Sequence, residues 1–233
     1  MKGKVMQKAI FVCLIGIDGS GKTTLGNRLT DLFRKENLDF YYVYGGVQSY
    51  LLRPVKFIIS RVFLSNQSPF EGYEEYRNKK KELSNRYGIL TKLYAAIYWL
   101  DFSIQMFFKV SIPLFLGHSI IVDRYVYDTA INLGHNTNIS GKPSLKSLEF
   151  FLRLFPKPTL LFLIDVEEEI AFARKTDTPA VEYLSERRYL YKQMIESYSG
   201  KTIDGTARRE DQIEQIRQAV LSILGRVKGE DNP

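Results

Sequence analysis

A glycine-rich stretch near the amino terminus constrains this chain more than any other feature. Residues 16–23 read GIDGSGKT: a glycine, four residues, and then glycine, lysine and a hydroxyl residue. The apolar run 8–15 before it has the pattern of a strand buried on both faces, and residues 23–36 after it have a helical pattern. A phosphate-binding loop requires this order of strand, loop and helix, so the stretch predicts one.

The residue types of the loop suit phosphate binding. Glycines let the backbone curl so that amide hydrogens and the start of the helix face the phosphates. Lys22 is expected to reach the outer phosphates, and the Thr23 hydroxyl to hold Mg2+. The predicted nucleotide-binding residues are Gly16, Gly19, Ser20, Gly21, Lys22, Thr23 and Thr24. An ordinary glycine turn is the alternative.

Four further strand patterns follow along the chain, with helical patterns between them. They cover residues 40–44, 119–122, 159–164 and 202–203, and residues 69–116 are assigned to long helices. Strands that alternate with helices predict an α/β fold, with a five-stranded parallel sheet flanked by helices on both faces. Ligands of such sheets bind at the carboxyl ends of the strands. We expect one domain over residues 1–228 and a frayed tail over 229–233.

The charge balance suits small anions. The net charge is +7, but the 33 basic residues are spread among 26 acidic ones, and no basic and aromatic platform for nucleic acid stands out. We therefore expect nucleotide partners, not nucleic acid. Cys13 is the single cysteine, lies in an apolar run, and is interpreted as a core residue of a protein in a reducing cytoplasm.

No membrane segment is expected. The apolar run at the amino terminus leads into the glycine motif and not into a signal-peptide cleavage site. The most apolar long stretch, 102–122, contains Lys109, Pro113 and His118, which is unfavourable for a membrane span. A buried helix followed by a strand explains the stretch better, and the sequence predicts a cytoplasmic protein without membrane contact.

Residues 16–24, GIDGSGKTT, resemble the thymidylate kinase family, and three further segments occur in the family's order. These segments are Asp123-Arg124-Tyr125, residues 161–175 (LFLIDVEEEIAFARK) and residues 203–216 (IDGTARREDQIEQI). The resemblance implies a P-loop kinase fold with a lid at about residues 174–188. It implies a phosphotransferase that moves the γ-phosphoryl of ATP to a nucleoside monophosphate with Mg2+, with dTMP as the first acceptor to test. Family members often pair through long helices, which implies a homodimer.

The resemblance also implies roles for single residues. Asp123 would hold Mg2+ with Thr23, although a helix cap is the alternative. Arg124 would bind a phosphate between donor and acceptor, or else form a structural ion pair. Tyr125 would lie against the acceptor sugar. Asp18 would lie near the reacting phosphates, or only cap its loop.

The lid is expected to complete the catalytic set of Lys22, Asp18, Arg124 and Arg174. Gly19 stands where some relatives carry a loop arginine, so Arg174 is the first choice for the remaining positive charge. Arg187 and Arg188 follow on a helix and could equally be its solvated face. Asp204 lies in a loop that resembles the family's adenine-side loop, with a simple turn as the alternative.

The acceptor side departs from the family in three places. The stretch 42–47 (YVYGGV) and the stretch 94–101 (YAAIYWLD) each lack an arginine that the family carries. After the triplet, residues 127–130 (YDTA) replace the serine and the thymine-reading residues. The donor half of the resemblance is therefore stronger than the acceptor half.

Other residues could compensate for these losses. Arg53 or Arg77 could supply the missing positive charge, and Tyr94 or Trp99 could stack on a base, although aromatic residues at helical spacing are more often core. Two further hypotheses stay open. One is a kinase for a nucleoside or another small hydroxyl acceptor, which Asp128 could bind. The other is a nucleotide-binding regulatory protein with little turnover.

Overall fold

The computed structural model describes residues 9–46, 48, 53, 72–137, 145–175 and 177–230. The strands are β1 (Phe11–Ile15), β2 (Phe40–Tyr44), β3 (Ser119–Asp123), β4 (Leu160–Asp165) and β5 (Lys201–Asp204). The helices are α1 (Lys22–Lys35), α2 (Tyr73–Arg86), α3 (Gly88–Met106), α4 (Ile112–Phe115), α5 (Val126–Thr137), α6 (Leu145–Leu154), α7 (Glu168–Ala173), α8 (Val181–Ser197) and α9 (Arg209–Glu230). A π-helical turn, Phe107–Ser111, joins α3 to α4.

The strands form one parallel sheet in the order β2-β3-β1-β4-β5. Cys13 in β1 pairs with Val122 on one side and with Leu161 on the other, so β1 lies at the centre. This confirms the predicted α/β fold, a five-stranded parallel sheet with the character of a P-loop kinase. Parallel neighbours need crossover connections, which the helices between the strands provide.

Each face of the sheet carries its own hydrophobic core, because successive side chains of a strand point to opposite faces. Phe11, Cys13 and Ile15 pack with residues of α3, α5 and α8. Val12 and Leu14 pack with residues of α1 and α9. Cys13 is fully buried, which confirms its interpretation as a core residue.

The long helical stretch lies on the first of these cores. Trp99 and Phe102 are buried there, in edge-to-face contact at 5.5 Å between ring centroids. Trp99 is thus a core residue and not a base-stacking one, the commoner role of aromatic residues at helical spacing. Among the described residues, no helix is both long enough and apolar enough to cross a membrane.

The carboxyl edge of the sheet brings the predicted site residues together. The glycine-rich loop follows β1, Asp123 ends β3, and Asp204 ends β5. The strands β3 and β2 lie on one side of β1, and β4 and β5 lie on the other, so the direction in which the chain adds strands to the sheet reverses beside β1. Open α/β sheets bind ligands in the crevice at such a point. At the other end of the chain, α9 continues to Glu230, two residues into the segment expected to be a frayed tail.

Candidate active site

The glycine-rich loop curls as predicted for a phosphate-binding loop. Gly16 has φ 143° and Gly21 has φ 89°, both in the region that favours glycine. A Cβ on Gly16 would lie 2.6 Å from the carbonyl oxygen of Ile164 in β4, so any side chain there would force the two segments apart. The loop therefore depends on glycine both for its backbone conformation and for its fit against β4.

Lys22 lies inside the loop at the start of α1. Its Nζ donates hydrogen bonds to Gly16 O at 2.7 Å, Ile17 O at 2.6 Å and Ser20 Oγ at 3.0 Å. Burial removes the ammonium from water and, with the charge of Arg124 nearby, lowers its pKa from 10.5 to about 8. A bound phosphate would offset this cost, since an anion favours the charged form of lysine.

Thr23 and Asp123 meet as a magnesium site would require. Thr23 Oγ1 donates to Asp123 Oδ2 at 2.5 Å, and Tyr42 donates to the same oxygen at 3.0 Å. The other carboxylate oxygen, Asp123 Oδ1, is buried and has no hydrogen-bond partner among the residues that the structure describes. An unsatisfied buried carboxylate oxygen beside a hydroxyl fits a hard cation or its water. These two residues therefore fit the Mg2+ that the loop motif implies.

Protein groups alone do not surround such a cation. Within the part of the chain that the structure describes, histidine, cysteine, aspartate and glutamate form no group of three or more that could hold a metal ion. Mg2+ usually keeps several waters and binds through one or two carboxylates together with substrate phosphates. The donor set is thus suited to Mg2+ that arrives with a nucleotide.

Arg124 forms ion pairs with two carboxylates. Its guanidinium donates to Asp18, in the loop, and to Asp128 Oδ1 at 3.1 Å, in α5. Burial alone would raise the pKa of Asp18, but the positive charges of Arg124, Lys22 and Lys175 hold it below its usual value. Arg124 has φ 71°, an uncommon conformation for a residue other than glycine and one that often marks functional sites. The alternative of an ion pair is what the structure shows.

Asp128, in α5, is a buried carboxylate that accepts hydrogen bonds from three groups. Besides Arg124, it accepts hydrogen bonds from the Tyr191 hydroxyl and, at 3.3 Å, from the backbone nitrogen of Tyr125. Burial raises its pKa, while Arg124 and Lys22 act in the opposite direction. The three donors orient the carboxylate and link α5 to α8.

The segment between α7 and α8, where a lid is expected, brings two cations to the loop. Lys175 Nζ lies 3.7 Å from Asp18 Oδ1 and 3.2 Å from Asp177 Oδ1. Arg174 donates to Gly205 O at 3.4 Å and faces the same cavity as the loop. The structure thus places Arg174, together with Lys175, in the cavity that Lys22 also lines.

A cavity of about 440 Å³ joins these groups. Its lining residues are Asp18, Gly19, Gly21, Lys22, Thr23, Thr24, Tyr44, Arg124, Arg174, Lys175 and Arg209. Most of them were predicted from the loop and the triplet. The volume suits part of a nucleotide, and five of the six charged lining residues are basic, which suits the binding of several phosphates.

Arg209, at the start of α9, was not predicted to belong to the site. Its guanidinium lies over the loop, 2.9 Å from the position that a Cβ on Gly21 would take, and donates to Gln212 Oε1 at 2.7 Å. Burial and the charges of Arg28 and Arg174 lower its pKa. Arg209 lies within the segment 203–216, which resembles the family. The sequence could not show which of the two adjacent arginines, Arg208 or Arg209, faces the loop.

Three residues predicted for the acceptor side are not among the described residues that line the cavity. Tyr125 is fully buried, and its hydroxyl donates to Pro156 O at 3.1 Å, so in this structure it cannot lie against a sugar. Tyr94 packs beside the core with its ring stacked on Tyr98 at 6.2 Å. Arg53 is exposed and is not among the described residues that line the cavity. The physical reason is the same for both tyrosines, because burial of a large ring in the core outweighs its exposure to a ligand.

Asp204 caps its own turn. Its Oδ1 accepts hydrogen bonds from Thr206 N at 2.8 Å and from Thr206 Oγ1 at 2.6 Å, which lowers the pKa of the exposed carboxyl. This is an Asx-type turn, the simple alternative to a nucleotide contact. The side chain is not among the described residues that line the cavity.

The remaining arginines considered from sequence form structural contacts. Arg77 pairs with Glu186, in α8. Arg188 donates to both oxygens of Asp165 and to Glu168, at 2.6 to 3.1 Å. Arg187 is buried, with its guanidinium 3.5 Å from the Tyr183 ring. The alternative of a solvated face therefore does not hold for Arg187, because its guanidinium also contacts Asn132 of α5.

Comparison with known proteins adds one relative. The chain is 24% identical over 220 residues to a probable thymidylate kinase from Archaeoglobus fulgidus, and the alignment covers 92% of this chain and 96% of that protein. The chain is thus similar to a kinase. No family model matches it. Together with the parallel sheet, this distant similarity supports a nucleotide-kinase-like function, and such kinases generally use ATP and Mg2+.

Proposed function

We propose that this chain is a Mg2+-dependent kinase that transfers the γ-phosphoryl of ATP to a nucleoside monophosphate, with dTMP as the first acceptor to test. The observation that carries the proposal is that Lys22 and Thr23 line one cavity and that Thr23 also contacts Asp123, at the carboxyl ends of β1 and β3. The distant similarity to a probable thymidylate kinase supports the same reading.

The donor half binds and orients the phosphates. The loop amides and the start of α1 would hold the outer phosphates, and Lys22 would exchange its loop carbonyls for phosphate oxygens. Arg174, Lys175 and Arg209 would neutralise charge from the lid side. Mg2+, when bound through Thr23 and Asp123, would neutralise further charge on the phosphates and help to align them.

The transfer itself asks little covalent chemistry of the protein. The bond between the γ-phosphorus and the oxygen that bridges it to the β-phosphate breaks, and a bond forms to an oxygen of the acceptor phosphate. That oxygen is already deprotonated at neutral pH, so no general base is needed. Arg124 would turn from Asp18 or Asp128 toward the acceptor phosphate, because a dianion competes well for a guanidinium.

The test is direct detection of phosphorylated product with Mg-ATP and a panel of nucleoside monophosphates. Turnover on dTMP or another monophosphate supports the proposal. Lys22→Ala should abolish it, and retention of more than about a tenth of the rate, under ~1.4 kcal/mol of barrier, would contradict the role of Lys22 in transfer. Nucleotide binding without product would favour a regulatory protein.

A second candidate is a kinase for a nucleoside or another small hydroxyl acceptor. The observation in its favour is that Asp18 and Asp128 both pair with Arg124. The proposed acceptor side thus contains two carboxylates, while the two arginines that the family carries in the stretches 42–47 and 94–101 are missing. A hydroxyl must lose a proton during transfer, and a carboxylate can accept it. Turnover on nucleosides but not on monophosphates would establish this candidate. Its rate should fall at low pH, where the carboxylate that accepts the proton becomes protonated.

We also propose a homodimer, supported by an exposed apolar face on α3, the π-helical turn and α4. Its exposed members are Ile89, Leu93, Leu100, Ile104, Phe107, Phe108, Phe115 and Leu116. A patch of this kind usually marks an interaction site, and a face with few charges can pair with its own copy. Sedimentation equilibrium should give twice the mass of one chain for the wild type. The variant Phe108→Glu should give the mass of a single chain.

A further inference from the structure

Tyr42, in β2, reaches the carboxylate assigned to the metal. In the strand register Asp123 is opposite Tyr44, yet the Tyr42 hydroxyl donates to Asp123 Oδ2 at 3.0 Å. The side chain therefore leans along the strand toward the loop. No sequence motif assigns Tyr42 a role, since the family carries an arginine in the stretch 42–47 and this chain does not.

Packing against α1 holds the ring in place. A Cβ on Gly26 would lie 2.9 Å from Tyr42 Cε2, so the ring lies directly over the helix backbone. Glycine inside a helix costs about 1 kcal/mol relative to alanine. The close approach of the Tyr42 ring explains why position 26 is glycine, since a larger residue would collide with the ring. The same packing holds the Tyr42 hydroxyl near Asp123 even without their hydrogen bond.

The two oxygens of Asp123 differ as a result. Oδ2 receives both hydroxyl donors, Thr23 and Tyr42, whereas Oδ1 is buried and meets no hydrogen-bond partner in the described part of the chain. The Thr23 hydroxyl can donate its proton to Asp123 and still offer a lone pair to a cation. The carboxylate is thus held by one oxygen and leaves the other available to a cation or to a water bound to it.

We infer that Tyr42 is a positioning residue for Mg2+, which acts by holding Asp123 so that Oδ1 stays available to the metal. The inference rests on the proposed function, because it requires a Mg2+-nucleotide complex at the loop. Hydrogen-bond partners of metal ligands typically change metal affinity by about 10- to 100-fold when they are removed.

Tyr42→Phe tests this role because it removes the hydroxyl and keeps the ring over Gly26. Binding of a fluorescent ADP analogue is measured in EDTA and over a series of Mg2+ concentrations. Affinity in EDTA should be unchanged, and half-maximal tightening should require about tenfold more Mg2+. Tyr41→Phe is the matched control, since Tyr41 is 46% exposed and its hydroxyl contacts only Asp39, at 3.4 Å, among the described residues. This control should follow the wild-type Mg2+ curve.

The outcomes separate this inference from the proposed function. If Mg2+ does not tighten nucleotide binding by the wild type, both fail. If the wild type responds and Tyr42→Phe follows the same curve within about twofold, only the role of Tyr42 is overturned. Weaker binding in EDTA would also overturn it, because the residue would then support the loop itself. In an Asp123→Asn background the effect of Tyr42→Phe should vanish, and its persistence would show that Tyr42 does not act through Asp123.

Discussion

Tyr191 donates its hydroxyl proton to the carboxylate of Asp128, and both side chains are buried. This contact joins α8, which follows the lid, to α5, which follows Arg124. A hydroxyl that bonds a buried carboxylate does two things, since it satisfies a charge that cannot reach water and it fixes the carboxylate that orients Arg124.

Tyr191→Phe should therefore destabilise the protein by about 2 kcal/mol, the usual loss for a hydrogen bond to a charged group. Urea unfolding measures the change. Tyr189→Phe, on the same helix, removes the hydroxyl of a residue that is 62% exposed and should change stability by less than about 0.5 kcal/mol. Equal effects of the two substitutions would contradict a special role for the contact with Asp128.

The pKa of Lys22 predicts a pH-dependent stability. It is about 8 in the folded protein and 10.5 ordinarily, so unfolding takes up a proton between these pH values and stability rises with pH in that window. Compared with Lys22→Met, the wild type should gain about 2 kcal/mol between pH 8 and pH 10. Urea unfolding of both proteins at each pH gives the difference, and a difference that does not change with pH would refute the lowered pKa.

Arg209→Gln should weaken ADP binding about tenfold, because it removes a cation that lies over Gly21 at the start of α1. Isothermal titration calorimetry measures the affinity. Arg208→Gln is the neighbouring control, since Arg208 is exposed and its guanidinium pairs with Asp211 at 2.9 Å. The role of Arg209 is refuted if both variants bind ADP as the wild type does.

Arg174→Ala should lower kcat by about 100-fold while the affinity for ATP changes little, because a lid cation acts mainly on charge that develops during transfer. Steady-state kinetics and equilibrium ATP binding separate the two effects. Arg34→Ala, an exposed cation paired with Asp31 on α1, should leave both unchanged. A loss of ATP affinity without a loss of kcat would place Arg174 in ground-state binding.

The fold could be predicted from sequence because its signals are local. The run before Gly16 is apolar throughout and gave β1, and residues 40–44 gave β2 with the bounds that the structure has. The donor side was predictable for the same reason, since the loop residues are consecutive. Asp204, another predicted member, caps its own turn instead, because sequence does not distinguish a turn cap from a ligand contact.

The acceptor side could be predicted only in part, because its contacts join distant residues. Arg124 and Asp18 are 106 positions apart, and Tyr191 and Asp128 are 63 apart. The triplet predicted that Arg124 would lie at the site, but not that two carboxylates would hold it. Tyr125 was assigned to the acceptor sugar, but its ring is fully buried in the core, beside the left-handed backbone of Arg124.

That left-handed conformation has a cost that the ion pairs of Arg124 offset. Glycine would relieve the backbone strain at φ 71°, but it would leave the buried carboxylate of Asp128 without its cation. Removing one partner of a buried ion pair costs about 3 to 5 kcal/mol, whereas one strained residue costs about 1 to 3 kcal/mol. In a library of variants screened only for folding, arginine should therefore outcompete glycine at position 124.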